Sequence, residues 1–358
     1  MNANGNANDV QQLDAGFNPD AVTTSVLKTL KTQTQIGSTV DPKNGDTVPS
    51  GISYESQTPY GQKKLVKGDL LLCNYADKSG TMGNGTTEEV MKSTPGSKPA
   101  TFLQSASLKG CSSLSADSLY GGIYTSDSVA KNVVQATAVG KIFQTITGGM
   151  SQPYGGVFNL STLGYPPGSG YWAGDATSGT MWRIDLGTQS GKPTVTGVVT
   201  GFKVNKGKPG SVLGPTAMSE YQKGNGPLTM YVADGASNIV YQFTNAYNAL
   251  FQAGAVKIGS TGKTFSGPQA KVAKVLYSGG DLKAPICMTT LPNGNLVVAN
   301  STNNTLVEID TAGKVLATLQ VDKGAGSAIR SIVATGSATA TVIYFTDANS
   351  NTVQRLSK

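Results

Sequence analysis

Short apolar runs alternate with polar turns along most of this chain, and one pairing of the two recurs. Tyr231-Val232-Ala233-Asp234 is followed, after a three-residue turn, by Asn238-Ile239-Val240-Tyr241-Gln242-Phe243. Val297-Val298-Ala299-Asn300 leads in the same way to Asn304-Thr305-Leu306-Val307-Glu308-Ile309. Ile343-Tyr344-Phe345-Thr346-Asp347 leads to Asn351-Thr352-Val353-Gln354-Arg355-Leu356. Each copy is an apolar strand ending in Asp or Asn, a polar turn closed by Asn, and an alternating strand. The pattern predicts a β-hairpin, and a repeated hairpin decides the architecture before any single residue does.

Three earlier passages align on the same phrase. The first is Asp69-Leu70-Leu71-Leu72-Cys73-Asn74, with a second strand near residues 86–92. Next comes Ser118-Leu119-Tyr120-Gly121-Gly122-Ile123-Tyr124-Thr125, with Asn132-Val133-Val134-Gln135. The third is Gly170-Tyr171-Trp172-Ala173-Gly174-Asp175, with Gly179-Thr180-Met181-Trp182-Arg183-Ile184. The six copies are centred near residues 74, 125, 175, 234, 300 and 347. Their spacing of roughly 47 to 66 residues suits four strands per unit plus loops.

An upstream element recurs too. Pro49, Pro153, Pro215 and Pro285 each open a run that includes small residues ahead of the main phrase. Proline is tolerated at the first residue of a strand, where no ladder donor is needed. Small residues suit an innermost strand crowded around an axis. The second and sixth copies lack this proline. A fourth strand is clearest at Gly313-Lys314-Val315-Leu316-Ala317-Thr318-Leu319-Gln320. The sixth copy has no room for one before Lys358, whereas Ser25-Val26-Leu27-Lys28-Thr29-Leu30-Lys31-Thr32 carries the same Val-Leu-x-Thr-Leu core. The expected fold is therefore all-β: a six-bladed β-propeller over residues 21–358, its ring closed by an N-terminal strand that completes the last blade. Residues 1–20 are expected to be a flexible tail.

The Pro-led strand, the Val-Ala-Asn/Asp strand and the Asn-x-(Val/Leu)-x-x-(Ile/Phe) strand resemble NHL-repeat six-bladed propellers over residues 48–358. Some NHL proteins bind RNA, which makes RNA or another polyanion one expected partner class.

Composition narrows the chemistry. The chain of 358 residues has 45 glycines, 14% charged residues, a net charge of +7 and no histidine. The missing histidine removes the usual general base, the usual zinc ligand and every Ser-His or Cys-His nucleophile. Lysines are scattered without an aromatic-interleaved basic stripe, so a dedicated nucleic-acid site is not expected. Gly201-Phe202-Lys203 and Lys206-Gly207-Lys208-Pro209-Gly210 match no phosphate-binding loop and read as basic surface. Cys73, Cys111 and Cys287 form no CxxC pair. Cys73 and Cys111 fall in neighbouring blades, where they either pair in an oxidising compartment or stay, with Cys287, as buried thiols. No stretch approaches a membrane span. The low charge and the abundant Thr, Ser, Gly and Asn suggest an exported protein of bacterial type, secreted or periplasmic, whose signal peptide has been removed.

Two sets of candidate site residues emerge. Asn74, Asp175, Asp234, Asn300 and Asp347 end equivalent strands, so a propeller places them on a ring. Five oxygen-bearing side chains can hold calcium, as some lactonase and gluconolactonase propellers do, although those also use Glu and, in some cases, His. Otherwise each caps its own turn, together with Asn238, Asn304 and Asn351. Tyr154, Tyr165 and Trp172 mark an aromatic-rich third blade that can stack on a sugar or flat ligand, or else pack between blades. The insertion from Asn74 to Gly85, containing Asp77 and Asn84, is the longest loop within a hairpin. Asp185, Glu308 and Asp310 read as residues of hairpin ends and turns. The expected function is non-catalytic binding or scaffolding of an unknown protein, small-molecule or sugar ligand, with no cofactor. The alternatives are a calcium-dependent lactonase-like hydrolase and RNA or polyanion binding.

Overall fold

A computed structural model describes residues 24–61, 64–159, 170–186, 192–224 and 226–358. The expected tail, residues 1–20, lies outside them. After an outlying strand, β1 (Thr32–Ser38), the chain lays down antiparallel sheets one after another. Blade 1 holds β2 (Thr47–Tyr54), β3 (Asp69–Ala76), β4 (Thr87–Lys92) and β5 (Ala100–Gln104). Blade 2 holds β6 (Cys111–Ala116), β7 (Ile123–Asp127), β8 (Asn132–Ala136) and β9 (Ile142–Ile146). Blade 3 holds β10 (Pro153–Asn159), β11 (Gly170–Asp175), β12 (Thr180–Asp185) and β13 (Thr194–Thr200). Blade 4 holds β14 (Pro215–Tyr221), β15 (Thr229–Asp234) and β16 (Ile239–Phe243). After an insertion bearing β17 (Val256–Ile258) and β18 (Phe265–Ser266) it is completed by β19 (Ala273–Ser278). Blade 5 holds β20 (Pro285–Thr290), β21 (Leu296–Asn300), β22 (Thr305–Ile309) and β23 (Val315–Gln320). Blade 6 holds β24 (Ile329–Thr335), β25 (Val342–Asp347) and β26 (Thr352–Ser357), with β1 outermost.

The innermost strands β2, β6, β10, β14, β20 and β24 pack each against the next, and β24 packs against β2, so the sheets form a closed six-bladed propeller. Sheet faces sheet on both sides of every blade. That is why β3, β11, β16, β21 and β22 are buried along their whole length and read as apolar runs. The blade-4 insertion departs from four strands per blade: β17 pairs parallel to β13 and extends the third sheet to six strands.

Two sequence expectations are corrected here. The N-terminal strand is not residues 25–32. Those residues carry a short 3-10 turn at Leu27–Thr29, with Val26, Leu27 and Leu30 buried. The strand itself follows, and β1 pairs with β26 from Thr32↔Ser357 to Ser38↔Thr352. In blade 2 the apolar strand begins later than the pattern predicts. Asp117 accepts hydrogen bonds from the amides of Leu119 and Tyr120, and Gly121 takes a positive φ of 74°. Residues 117–122 are therefore a turn, and the strand runs on to Asp127.

Neighbouring blades are joined by a repeated latch. Asn238, Asn304 and Asn351 all sit in the left-handed region, at φ 56°, 52° and 51°. Their Oδ1 atoms accept the amides of Ala284, Ala328 and Val48, at 2.7, 3.1 and 2.8 Å. Ala284 and Ala328 stand just ahead of the next blade's inner strand and Val48 at the start of one, so the Asn351 latch crosses from blade 6 to blade 1. Asparagine tolerates left-handed backbone better than other residues with a Cβ. Asn351→Ala is expected to cost about 2 kcal/mol in equilibrium unfolding, half from the backbone and half from the lost bond. Asn351→Gly, which restores the backbone freedom, is expected to cost about 1 kcal/mol. No loss in Asn351→Gly would show that the latch bond adds nothing, and equal losses in the two variants would remove the backbone half. A covalent link adds to the set: Cys73 in the middle of β3 is disulfide-bonded to Cys111 at the start of β6, with Cα atoms 6.0 Å apart. Cys287 is free and buried, and burial pushes its thiol up. Among the described residues no helix is long and apolar enough to cross a membrane.

Candidate ligand site at the axial mouth

All six inner strands share one irregularity. The register between each inner strand and its neighbour slips by one residue near the strand's start: at Pro49/Gly51, Cys111/Ser113, Pro153/Gly155, Pro215/Ala217, Pro285/Cys287 and Ile329/Ile332, the last gap holding both Arg330 and Ser331. A bulge re-aims the extra residue. The residues placed there are Ser50, Ser112, Tyr154, Thr216, Ile286 and Arg330, one per blade around the axis. Three are hydroxyls that bond local carbonyls: Ser50 to Val48, Ser112 to Ser126 and Pro153, Thr216 to Gly214 and Pro285. Ile286 is apolar. Tyr154 and Arg330, on blades 3 and 6, stand opposite each other in the ring and are close enough to interact.

Arg330 lies between two spaces. On its outer side is a cavity of about 290 Å³ lined by Val212, Ile286, Ser301, Thr302 and Ser327, among others. On its inner side a narrower space of about 140 Å³ runs down the axis between small residues such as Ser113, Gly156 and Ala217. Arg330 and Ile286 line both. Arg330 is 6% exposed, and its guanidinium lies 6.0 Å from the centre of the Tyr75 ring, which in turn lies 6.2 Å from that of Tyr154. Burial pushes the Tyr75 hydroxyl up to about 12 and raises that of Tyr154, and in both the nearby Arg330 charge pulls partly the other way.

The connection between β13 and β14 crosses this mouth. The Gly210 carbonyl accepts a hydrogen bond from Arg330 Nη2 at 3.4 Å. Pro209 abuts Gly83 and Gly210 abuts Met82, both in the blade-1 insertion. A side chain at Gly83 would collide with Val129 and press on Pro209, and its φ of 85° also demands glycine. Of the residues 206–210 that read as a basic surface loop, Pro209 and Gly210 thus lie at the axial opening.

The residues singled out from sequence fall in three places. Tyr154 belongs to the mouth. Trp172 is 1% exposed, packed between blades with Arg183 5.4 Å from its ring centre, and lines neither cavity. Tyr165 lies outside the described residues. The strand-end set is spread over five blades, and its members bond groups nearby. Asp175 accepts the amides of Ser151, Thr177 and Ser178. Asp234 accepts those of Lys203, Ala236 and Ser237, and burial raises its carboxyl above the usual range. Asp347 accepts those of Asn349 and Ser350. Asn300 accepts from Lys283 N and donates to Asp281 O and Thr305 Oγ1, and Asn74 donates to Thr39 O and Glu89. Among the described residues no three His, Cys, Asp or Glu gather into a metal-binding group. In the blade-1 insertion, Asp77 is bonded by Ser79, Thr81 and Asn84, which hold its carboxyl down at about 2 as an exposed turn. Asp310 likewise accepts the amides of Ala312 and Lys314 in a turn, whereas Asp185 pairs with Arg183.

Two residues were missed by sequence reasoning. Asp127 is the strand-end acid of blade 2, hidden because the strand was started too early. Arg330 was hidden because blade 6 has Ile329 where four other blades have proline. Aligning Ile329 with those prolines places an arginine beside positions that hold serine, tyrosine, threonine and isoleucine.

No family model matches the chain, and no curated protein matches it. Solved structures do. A gluconolactonase from Xanthomonas campestris is 11% identical with a TM-score of 0.54, covering 92% of this chain and 97% of its own. A virginiamycin B lyase from Staphylococcus aureus is 13% identical with a TM-score of 0.51, over 91% and 99%. A chain from a nidogen/laminin complex is 14% identical with a TM-score of 0.51, over 79% and 83%. At such identities the likeness is one of fold, and that fold is shared by a gluconolactonase, a lyase and a chain of a protein complex.

Proposed function

We propose that the protein is an exported binding propeller, NHL-like in its blades, that takes a small ligand at the axial mouth and leaves it chemically unchanged. One observation carries the reading. The described residues lining the mouth cavity are apolar, hydroxyl-bearing, glycine or one cation, Arg330, and include no carboxylate or imidazole to move a proton. A concave, partly apolar site with few polar groups is the usual form of a small-molecule site, and this one lies at the small end of the range. The Cys73–Cys111 bond supports an oxidising compartment. A lactonase-like hydrolase is the competing reading.

The test runs a thermal-shift screen of sugars, carboxylates and neutral amides beside a lactone-hydrolysis assay, the latter with calcium and with chelator. Saturable stabilisation by a screened compound without turnover is the expected result. Calcium-dependent lactone turnover would overturn it.

A further inference from the structure

Two arginines of this chain are equally buried, at 6% exposure, and they are served very differently. Arg183 pairs with Asp185 at 2.7 Å, donates to the carbonyls of Tyr247 and Leu250, and lies over the rings of Trp172 and Tyr247. Arg330 has one long bond to Gly210 O, the Tyr154 hydroxyl within reach and the Tyr75 ring 6.0 Å away, but its buried Nε has no partner and no carboxylate of the described residues pairs with it. A buried cation without a counter-ion is expensive, whereas a buried cation in an accessible cavity has a way out: its counter-ion arrives from outside.

We propose that the axial mouth binds a small monocarboxylate, with the two carboxylate oxygens held by the free edge of the Arg330 guanidinium and the apolar body of the ligand against Val212, Ile286 and Ile329; this rests on the binding reading above. The guanidinium fork matches two coplanar oxygens. One positive charge neutralises one negative charge, so a monoanion fits better than a doubly charged phosphate in a space this enclosed. The hydroxyls of Thr302 and Ser327, which line the same cavity, suit a polar end. The strand-end acids are absent from its lining.

The probes are isovalerate, its neutral isostere isovaleramide, and inorganic phosphate, at matched ionic strength on the intact protein. Melting temperature and calorimetric titration are read in wild type, Arg330→Met and Arg330→Lys. Isovalerate is expected to bind saturably and isovaleramide is not. Arg330→Met is expected to lose affinity by about tenfold or more while melting at or above the wild-type temperature without ligand, because a charge lacking a counter-ion has been removed. Arg330→Lys is expected to fall between, keeping charge but losing the fork. Equal shifts with acid and amide, binding that survives in Arg330→Met, or binding of phosphate alone each overturn the assignment. So does a fall of several degrees in the unliganded Arg330→Met protein, which would make Arg330 a structural residue. Saturable binding of a neutral ligand in all three proteins sinks the carboxylate assignment and leaves the binding reading standing, whereas calcium-dependent lactone turnover sinks the binding reading itself.

Discussion

Glu308→Ala is expected to cost about 4 kcal/mol of stability, and the loss should appear first at the seam between blade 6 and β1. Glu308 is fully buried on β22, and four donors converge on its carboxylate. Ser25 Oγ and Leu27 N reach Oε2 at 2.5 and 2.9 Å, and Val26 N and Asn295 Nδ2 reach Oε1 at 3.1 and 2.8 Å. A single acid on blade 5 therefore pins the turn that delivers the chain into β1. Hydrogen bonds to a charged group are worth more than neutral ones, and truncation leaves the donors buried without acceptors. Glu308→Gln keeps one acceptor oxygen and turns an amide N–H₂ towards two donors, so it should also destabilise. Equilibrium denaturation gives the total. Hydrogen exchange gives the place: amides of the β1–β26 ladder should lose protection before those of blades 2 to 4. Uniform loss of protection across all blades would refute a local clamp.

Stability should fall as pH rises from 5 to 8. Burial raises Glu55 and Glu88 to about 7, and raises Glu89 and Asp127 well above their ordinary values. In the unfolded chain these acids ionise near their ordinary values of 4.5 for Glu and 3.8 for Asp. The folded state thus holds more protons across the interval between. The contribution of each is present in full below its unfolded value and is lost as pH climbs through the folded one. Asp77 works in the opposite sense, but its effect lies below about pH 4 and outside this window. Glu55 and Glu88 each account for a loss on the order of 3 kcal/mol, Glu89 and Asp127 add in the same direction, and the coupling between Glu88 and Asp127 prevents simple addition. Glu88→Gln keeps the acceptor that bonds Thr125 Oγ1 at 2.6 Å. It should match wild type near pH 5 and decline less steeply above it. A melting temperature flat from pH 5 to 8 would show that these carboxyls are hydrated in solution.

The strands easiest to read were those gripped on both faces. β15, β21 and β25 are walled by neighbouring blades, so their sequences are continuously apolar and their ends are marked by Asp234, Asn300 and Asp347. The outer strands carried little signal. β1 is Thr32-Gln33-Thr34-Gln35-Ile36-Gly37-Ser38, with one large apolar residue, because much of its length meets solvent. Val26, Leu27 and Leu30 offered a stronger apolar pattern, and they are buried as a turn instead. Glu308 read as a residue near a hairpin end, and nothing local announces that three donors from the distant segment Ser25–Leu27 join Asn295 on its carboxylate. The same holds for the mouth. Tyr154 was chosen for its ring, yet its place beside Arg330 follows from a bulge shared by six strands, and a bulge is a matter of register between strands rather than of composition.

The way the ring is fastened also sets how the molecule carries load. Thr32 faces Ser357, so the chain enters and leaves the outer ladder of blade 6 at one corner. Tension applied to the two ends would peel that ladder a single bond at a time, the weakest geometry a sheet can offer. The entering segment, however, is first tied down at Ser25, Val26 and Leu27 to Glu308 on the neighbouring blade. A pull on the leading end is therefore spent on that tether before it reaches the zipper.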